Sequence, residues 1–229
     1  MKSIIQTPTG DLQKSLNFYQ TLGYTVLSEN NPVLVSDGKA VIEINPDRFA
    51  RAGVKLYASS WKEVVAQLAA ITSIVEIEKG YLLSDSSSTW IYLMETDDIP
   101  SFNLSDVKPA VTGNFAGISL EVIDMKKAQE FWETLGLQQT MGGVEQGWLA
   151  MANADGFAVS FMKPNVCPHL FFNPSMTYFN GKENVAIIEK IRDLNIPITE
   201  EITHFNQEGI VDNIIIRDPG GYGFFLFSD

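Results

Sequence analysis

The chain has 229 residues, enough for one large domain or two small ones, and its 45% apolar and 11% aromatic content is that of a packed globular protein. A net charge of −12 argues against a nucleic-acid partner, whose binding rests on neutralising phosphates, and favours a cationic ligand over an anionic one. The single cysteine, Cys167, excludes an internal disulfide. The first residues lack the apolar core of a signal peptide, and no apolar run nears the roughly 20 residues that span a bilayer, so a cytoplasmic protein with no membrane partner is expected.

A strand at 4–7 opens the chain. It leads into Asp11-Leu-Gln-Lys-Ser-Leu-Asn-Phe18-Tyr-Gln-Thr-Leu-Gly23. Asp11 is a good N-cap, Leu12, Ser15, Leu16 and Tyr19 share a helical face, and Gly23 supplies the left-handed stop. Short strands follow at 24–27, 33–35 and 40–44, with Asp37-Gly38 as the hairpin signal between the last two. The pattern then restarts. A strand at 54–58 precedes Ser60-Trp-Lys-Glu63, which reads as a capping box, and Val64, Val65, Leu68 and Ile71 form the apolar face of a helix. Strands near 75–78, 81–83 and 90–94 close this unit, with Ser86-Ser87-Ser88 as a turn. Residues 96–113 are polar, carry two prolines and read as a linker.

The second half repeats the plan. A strand at 118–122 leads into Asp124-Met-Lys-Lys-Ala-Gln-Glu-Phe131-Trp-Glu-Thr-Leu-Gly136, with the Asp, Phe and Gly spaced as in the first copy. Strands follow at 138–141, 148–152 and 158–162. Asp155 to Pro164 aligns without a gap on Asp37 to Pro46, which sets Phe161 against Glu43. A strand at 176–179, a helix at 183–194 and strands at 201–205, 213–216 and 223–227 complete the chain. Asp218-Pro-Gly-Gly stands where the first half has Asp85-Ser-Ser-Ser. The chain is thus four βαβββ units, an α+β protein in which tandem units form two curved mixed sheets around cavities, with helices outside. Residues 1–95 and 114–229 are the expected domains, each of two units. One unit cannot bury its sheet alone, so units pair; unit one closes with unit two or with unit four.

The stretch at 11–23, its echo at 124–136 and Asp218-Pro-Gly-Gly make the chain similar to the vicinal oxygen chelate superfamily, which holds glyoxalase I, extradiol dioxygenases and bleomycin-resistance proteins. The resemblance implies a metal ligand set of His, Gln and Glu at fixed places. Here those places hold Ile4 and Gly117, then Glu43 and Phe161, then Gly53 and the neighbourhood of Pro174–Met176, then Tyr92 and Phe225. One carboxylate is not a site, because zinc, nickel or iron needs three or more protein ligands. No metal and no other cofactor is therefore expected. The histidines, His169 and His204, lie off the ligand positions; His204 is placed on a strand, at its rim or facing a cavity.

What stands in the ligand places is apolar or aromatic, and at period two the same faces carry Gln6, Trp90, Met94 and Phe227. Glu43 with Gln6 and Tyr92 points to a polar group in an apolar pocket, where a carboxylate pairs with a cationic ligand group or acts as a general base. The expected ligand-binding residues are Gln6, Glu43, Trp90, Tyr92, Phe161, His204 and Phe225, with Glu43 as the catalytic candidate. The first functional reading is a metal-free, bleomycin-resistance-like protein holding a small aromatic or cationic molecule, as a monomer (an internal pseudo-dimer) or a homodimer. The alternative is a lyase, isomerase or dioxygenase of the same superfamily, either metal-free with Glu43 as acid–base or with metal ligands elsewhere. A relic whose partner is a protein is a third.

Overall fold

A computed structural model describes residues 1–228. In chain order the elements are β1 (Lys2–Pro8), α1 (Leu12–Thr21), β2 (Thr25–Ser28), β3 (Val33–Ser36), β4 (Val41–Asn45), β5 (Gly53–Ala58), α2 (Lys62–Leu68), β6 (Val75–Ile77), β7 (Gly80–Ser84) and β8 (Trp90–Glu95). After residues 96–113, which hold no helix or strand, come β9 (Phe115–Glu121), α3 (Met125–Thr134), β10 (Gln138–Gly143), β11 (Trp148–Ala152), β12 (Ala158–Met162), β13 (Ser175–Phe179), α4 (Asn184–Asp193), β14 (Ile198–Ile202), β15 (Asn213–Arg217) and β16 (Gly223–Phe227). No described helix is long and apolar enough to cross a membrane.

Two eight-stranded sheets result, ordered β2-β3-β4-β1-β5-β8-β7-β6 and β10-β11-β12-β9-β13-β16-β15-β14. The orders are the same, unit for unit. At each centre the first strands of two successive units pair antiparallel, β1 with β5 and β9 with β13. Unit one therefore closes with unit two, and unit three with unit four.

The two long-helix starts behave as their sequences indicate. Asp11 accepts from Lys14 N at 3.0 Å and Asp124 from Lys127 N at 3.1 Å, each satisfying an orphan donor of the first turn. Gly23 and Gly136 close the helices at φ of 85° and 91°, a conformation costly for any residue with a Cβ. The capping box expected at Ser60–Glu63 does not form. Glu95, at the end of β8 beside Ala58, reaches across and accepts from Trp61 N at 2.6 Å. A carboxylate fixed by the sheet has displaced the local one.

Alternate residues of every central strand divide between two faces. Ile5, Ile42, Ile44, Val54, Leu56, Ile91 and Leu93 of the first sheet turn to the helix side, as do Leu120, Val159, Phe161, Tyr178, Phe224 and Leu226 of the second. With Tyr19, Phe131 and Trp132 of the helices, and Leu22 just past the end of α1, they form a single hydrophobic core. The helices lie outside the two inner faces, and the halves meet there. Two mirrored contacts cross the seam. Tyr19 of α1 donates its hydroxyl proton to Asp218 Oδ2 at 2.8 Å, and Trp132 of α3 donates its indole N–H to Asp85 Oδ2 at 3.1 Å. Asp218 is also bonded by Thr7 Oγ1 at 2.6 Å, again from the other half. Burial, the largest influence on both, pushes the two carboxyls above their ordinary range.

Candidate functional site

In the first half, register decides who shares the inner face. Gln6 pairs with Glu43 on one side and Gly53 on the other, and Lys55 lies between Ile4 and Tyr92. Lys55 Nζ stands 2.7 Å from both oxygens of Glu43, with side-chain exposures of 13% and 6%. The cation expected for this carboxylate is thus supplied by the same chain, from β5, which lies across β1 from the strand of Glu43. Gln6 is held as firmly: its Nε2 donates to Arg51 O at 2.9 Å and its Oε1 accepts from Asn45 Nδ2 at 3.0 Å. Tyr92 Oη accepts from Arg51 N at 3.1 Å, and burial raises its phenol above the ordinary value. Burial, then the charge of Glu43, pushes the Tyr57 phenol up to about 12. The rest of the face is packed. Ile4, Leu34 and Val41 are covered by Leu27, Tyr57 and two residues of the connecting segment, Phe102 and Leu104. Trp90 starts β8, half-buried, beside Gly53.

The second half is open. A cavity of about 400 Å³ is lined by Ser119, Met162, Cys167, His169, Phe171, Thr177, Phe179, Phe205, Asn213, Phe225, Phe227 and Ser228. Five of these twelve are phenylalanines, and none is charged. Phe225, 1% exposed, forms the floor with Phe227, their rings parallel at 5.3 Å as i and i+2 on one strand face. Phe171 meets Phe225 edge-on at 4.9 Å. His169 stacks on Phe171 at 6.0 Å and presents its ring to Phe225 and Phe227 at 5.2 and 5.1 Å. Phe179 and Phe205 are exposed at the rim. Cys167 is half-buried, its thiol 3.2 Å from Met162 Sδ, and burial raises its pKa. A slot of ring faces and edges holds a flat ligand by stacking and area.

Of the sequence-derived site residues, Phe225 lines this cavity; Gln6, Glu43 and Tyr92 come together in the filled half. Phe161 does not face either. It lies in the shared core, 6.3 Å from the Trp132 ring. The hairpin before it explains why. Ser36 pairs with Val41 across four turn residues, whereas Ala152 pairs with Ala158 across five. Asn153, accepting from Asp155 N and Phe157 N, does the work of Asp37, and the gapless alignment slips by one. The residue opposite Ser119, as Glu43 is opposite Gln6, is Ser160. A one-residue slip turns a side chain to the other face. His204 is exposed beyond the end of β14, its ring 4.9 Å from that of Phe205. His169, Phe171 and Phe205 come from loops, where no periodicity marks them; the only sequence signal is the aromatic cluster His169-Leu-Phe-Phe172 itself.

The residues in the superfamily's ligand places do not fit a metal ion. In the second half they are Gly117, Ser160, the Ser175–Thr177 strand and Phe225, a set of hydroxyls and a ring. Two of the places admit no side chain. A Cβ on Gly117 would fall 2.5 Å from Ala158 O, and one on Gly53 would fall 2.1 Å from Trp90 O. Among the described residues no three His, Cys, Asp or Glu side chains converge.

By sequence, no family model and no curated protein matches the chain. Solved structures do. The 2,3-dioxygenase LapB from Pseudomonas sp. KL28 superposes with a TM-score of 0.58 at 14% identity, over 97% of this chain and 89% of that one. Homoprotocatechuate 2,3-dioxygenase from Arthrobacter globiformis gives 0.58 at 16%, over 97% and 77%. The 2,2',3-trihydroxybiphenyl 1,2-dioxygenase of Sphingomonas wittichii strain RW1 gives 0.55 at 13%, over 99% and 91%. Similarity at this identity speaks for architecture alone: the chain has the tandem βαβββ fold of the extradiol dioxygenases of the vicinal oxygen chelate superfamily.

Proposed function

We propose that the chain binds a small planar aromatic molecule in its second-half cavity, as a sequestering protein of the bleomycin-resistance kind. The observation that carries this is the wall of Phe171, Phe205, Phe225 and Phe227 around about 400 Å³ of uncharged space. A volume of that size suits a ligand of one to three rings. The aromatic substrates in the names of the structural neighbours agree with it, although those proteins are enzymes. The first-half inner face, where the sequence pointed, is closed by its own Lys55–Glu43 pair.

Calorimetric titration with 1-ethylnaphthalene, repeated on Phe225→Ala, tests the reading. Saturable binding that weakens at least roughly tenfold in the variant is expected, since a buried aromatic contact of this area is worth more than 1.4 kcal/mol. No heat of binding for this probe or its polar analogues would remove the reading. The dioxygenase-superfamily fold supports a second one, an enzyme acting on an aromatic ring. Stoichiometric iron, nickel or zinc in the purified protein would favour it over sequestration.

A further inference from the structure

We infer that the ligand is a neutral aromatic carrying a hydrogen-bond-accepting oxygen, and that the hydroxyl pair of Ser119 and Thr177 orients it. The inference rests on the aromatic-cavity reading above and names the class of molecule that cavity takes.

Ser119 Oγ and Thr177 Oγ1 lie 2.6 Å apart on adjacent central strands, 1% and 4% exposed, and both line the cavity. Two hydroxyls bring two protons, and the bond between them uses one. The other has no acceptor among the described residues. A buried donor without a partner is the expensive kind of unsatisfied group, so the free O–H turns to the cavity that both residues line. No other polar group of the lining has a proton free for a ligand oxygen: the Asn213 amide is bonded within the chain, and His169, with Nδ1 donating to Leu170 O, leaves at Nε2 an acceptor and not a donor. Asn213 Oδ1 accepts from Ser228 N at 2.6 Å and its Nδ2 donates to Asp212 at 2.9 Å. His169 Nδ1 is 2.7 Å from Leu170 O. The position of the free donor fits a ring on the phenylalanine floor. Thr177 pairs directly with Phe225 across β13 and β16, so a ring stacked at Phe225 lies one strand spacing, about 4.8 Å, from the hydroxyls, and an oxygen carried on the edge that faces β13 spans that gap to hydrogen-bond distance.

Charge is excluded by the same lining. No Asp, Glu, Lys or Arg faces the cavity, so a charged ligand would leave water and meet no counter-charge. The −12 of the whole chain acts from the surface, where salt screens it.

Three probes on one naphthalene frame separate the possibilities: 1-acetylnaphthalene, 1-ethylnaphthalene and a naphthylmethyl-trimethylammonium cation. In the unmodified protein the ketone should bind roughly three- to tenfold tighter than the hydrocarbon, the worth of one neutral hydrogen bond. In Ser119→Ala/Thr177→Val that preference should vanish while the hydrocarbon's Kd stays put, which also reports that the variant is folded. The unmodified protein gives a second readout: the carbonyl stretch of bound 1-acetylnaphthalene should move to the lower frequency of a hydrogen-bonded ketone. Equal affinities for ketone and hydrocarbon, an unshifted carbonyl band, a preference that survives the double substitution, or a cation that binds tightest each overturns the inference. If ketone and hydrocarbon bind equally and Phe225→Ala weakens both, the aromatic cavity stands and the hydroxyl assignment alone falls. If no probe binds, both fall.

Discussion

Replacing Lys55 by Met should be among the most damaging single changes in the first half. Its ammonium is 2.7 Å from both Glu43 oxygens, and both side chains are largely withdrawn from water. At an effective dielectric near 20 the attraction at this distance is about 6 kcal/mol, most of it offset by the desolvation of the two charges. The pair is therefore worth little against a well-packed apolar pair. Breaking it is another matter. Lys55→Met leaves Glu43 buried with no cation, at a cost of about 3–5 kcal/mol. For a chain of this length that is a fall in Tm of roughly 6–20 °C. Adding Glu43→Leu should recover most of the loss, because two apolar side chains then meet on a face already lined by Ile4, Leu34 and Val41. Thermal and urea unfolding of the two single variants and the double variant measure the cycle. Equal stability of Lys55→Met and the double variant would refute the reasoning, since Glu43 would then be indifferent to its partner.

Trp132→Phe removes the indole N–H from Asp85 Oδ2, and a loss of about 1–3 kcal/mol in urea unfolding is expected for the abandoned oxygen; an unchanged midpoint would deny the bond any role. Burial raises the carboxyls of Asp37, Asp85 and Asp218 above their ordinary 3.8, so the folded chain keeps these protons to higher pH than the unfolded chain. Their contribution is fully present below pH 3.8 and is lost as pH rises through the raised values. In Asp85→Asn the decline of stability above about pH 4 should be shallower, and an unaltered pH profile would contradict the assignment. Gly220→Ala would drive a Cβ to within 2.0 Å of the Pro8 carbonyl oxygen across the seam, and should lower Tm more than Gly10→Ala, where the same atom meets open space; a smaller loss at Gly220 would mean the turn yields freely.

The fold was legible because it is written twice. A capped helix with a glycine stop, preceded by a strand and repeated with the same internal spacing, leaves few alternatives, and both copies form as the spacing demands. The site was legible only in part. Which inner face stays open depends on side chains that arrive from outside the repeats. Phe102 and Leu104 of the connecting segment cover the first; His169, Phe171 and Phe205, from loops, wall the second. The Lys55–Glu43 pair is a cross-strand partnership that register creates and no motif announces. Phe161 was misplaced by one extra residue in a hairpin, which no pattern of apolar residues reveals.

The common core between the sheets has a consequence for the history of the chain. Tyr19 and Trp132, both wholly buried, occupy matching places in the repeat, and each rests its polar atom on an aspartate of the opposite copy. Cut apart, each copy would bare an oily flank and strand an acid. Whatever ancestor was duplicated, its descendants have become mutually dependent, and expression of either copy by itself should yield inclusion bodies rather than a working protein.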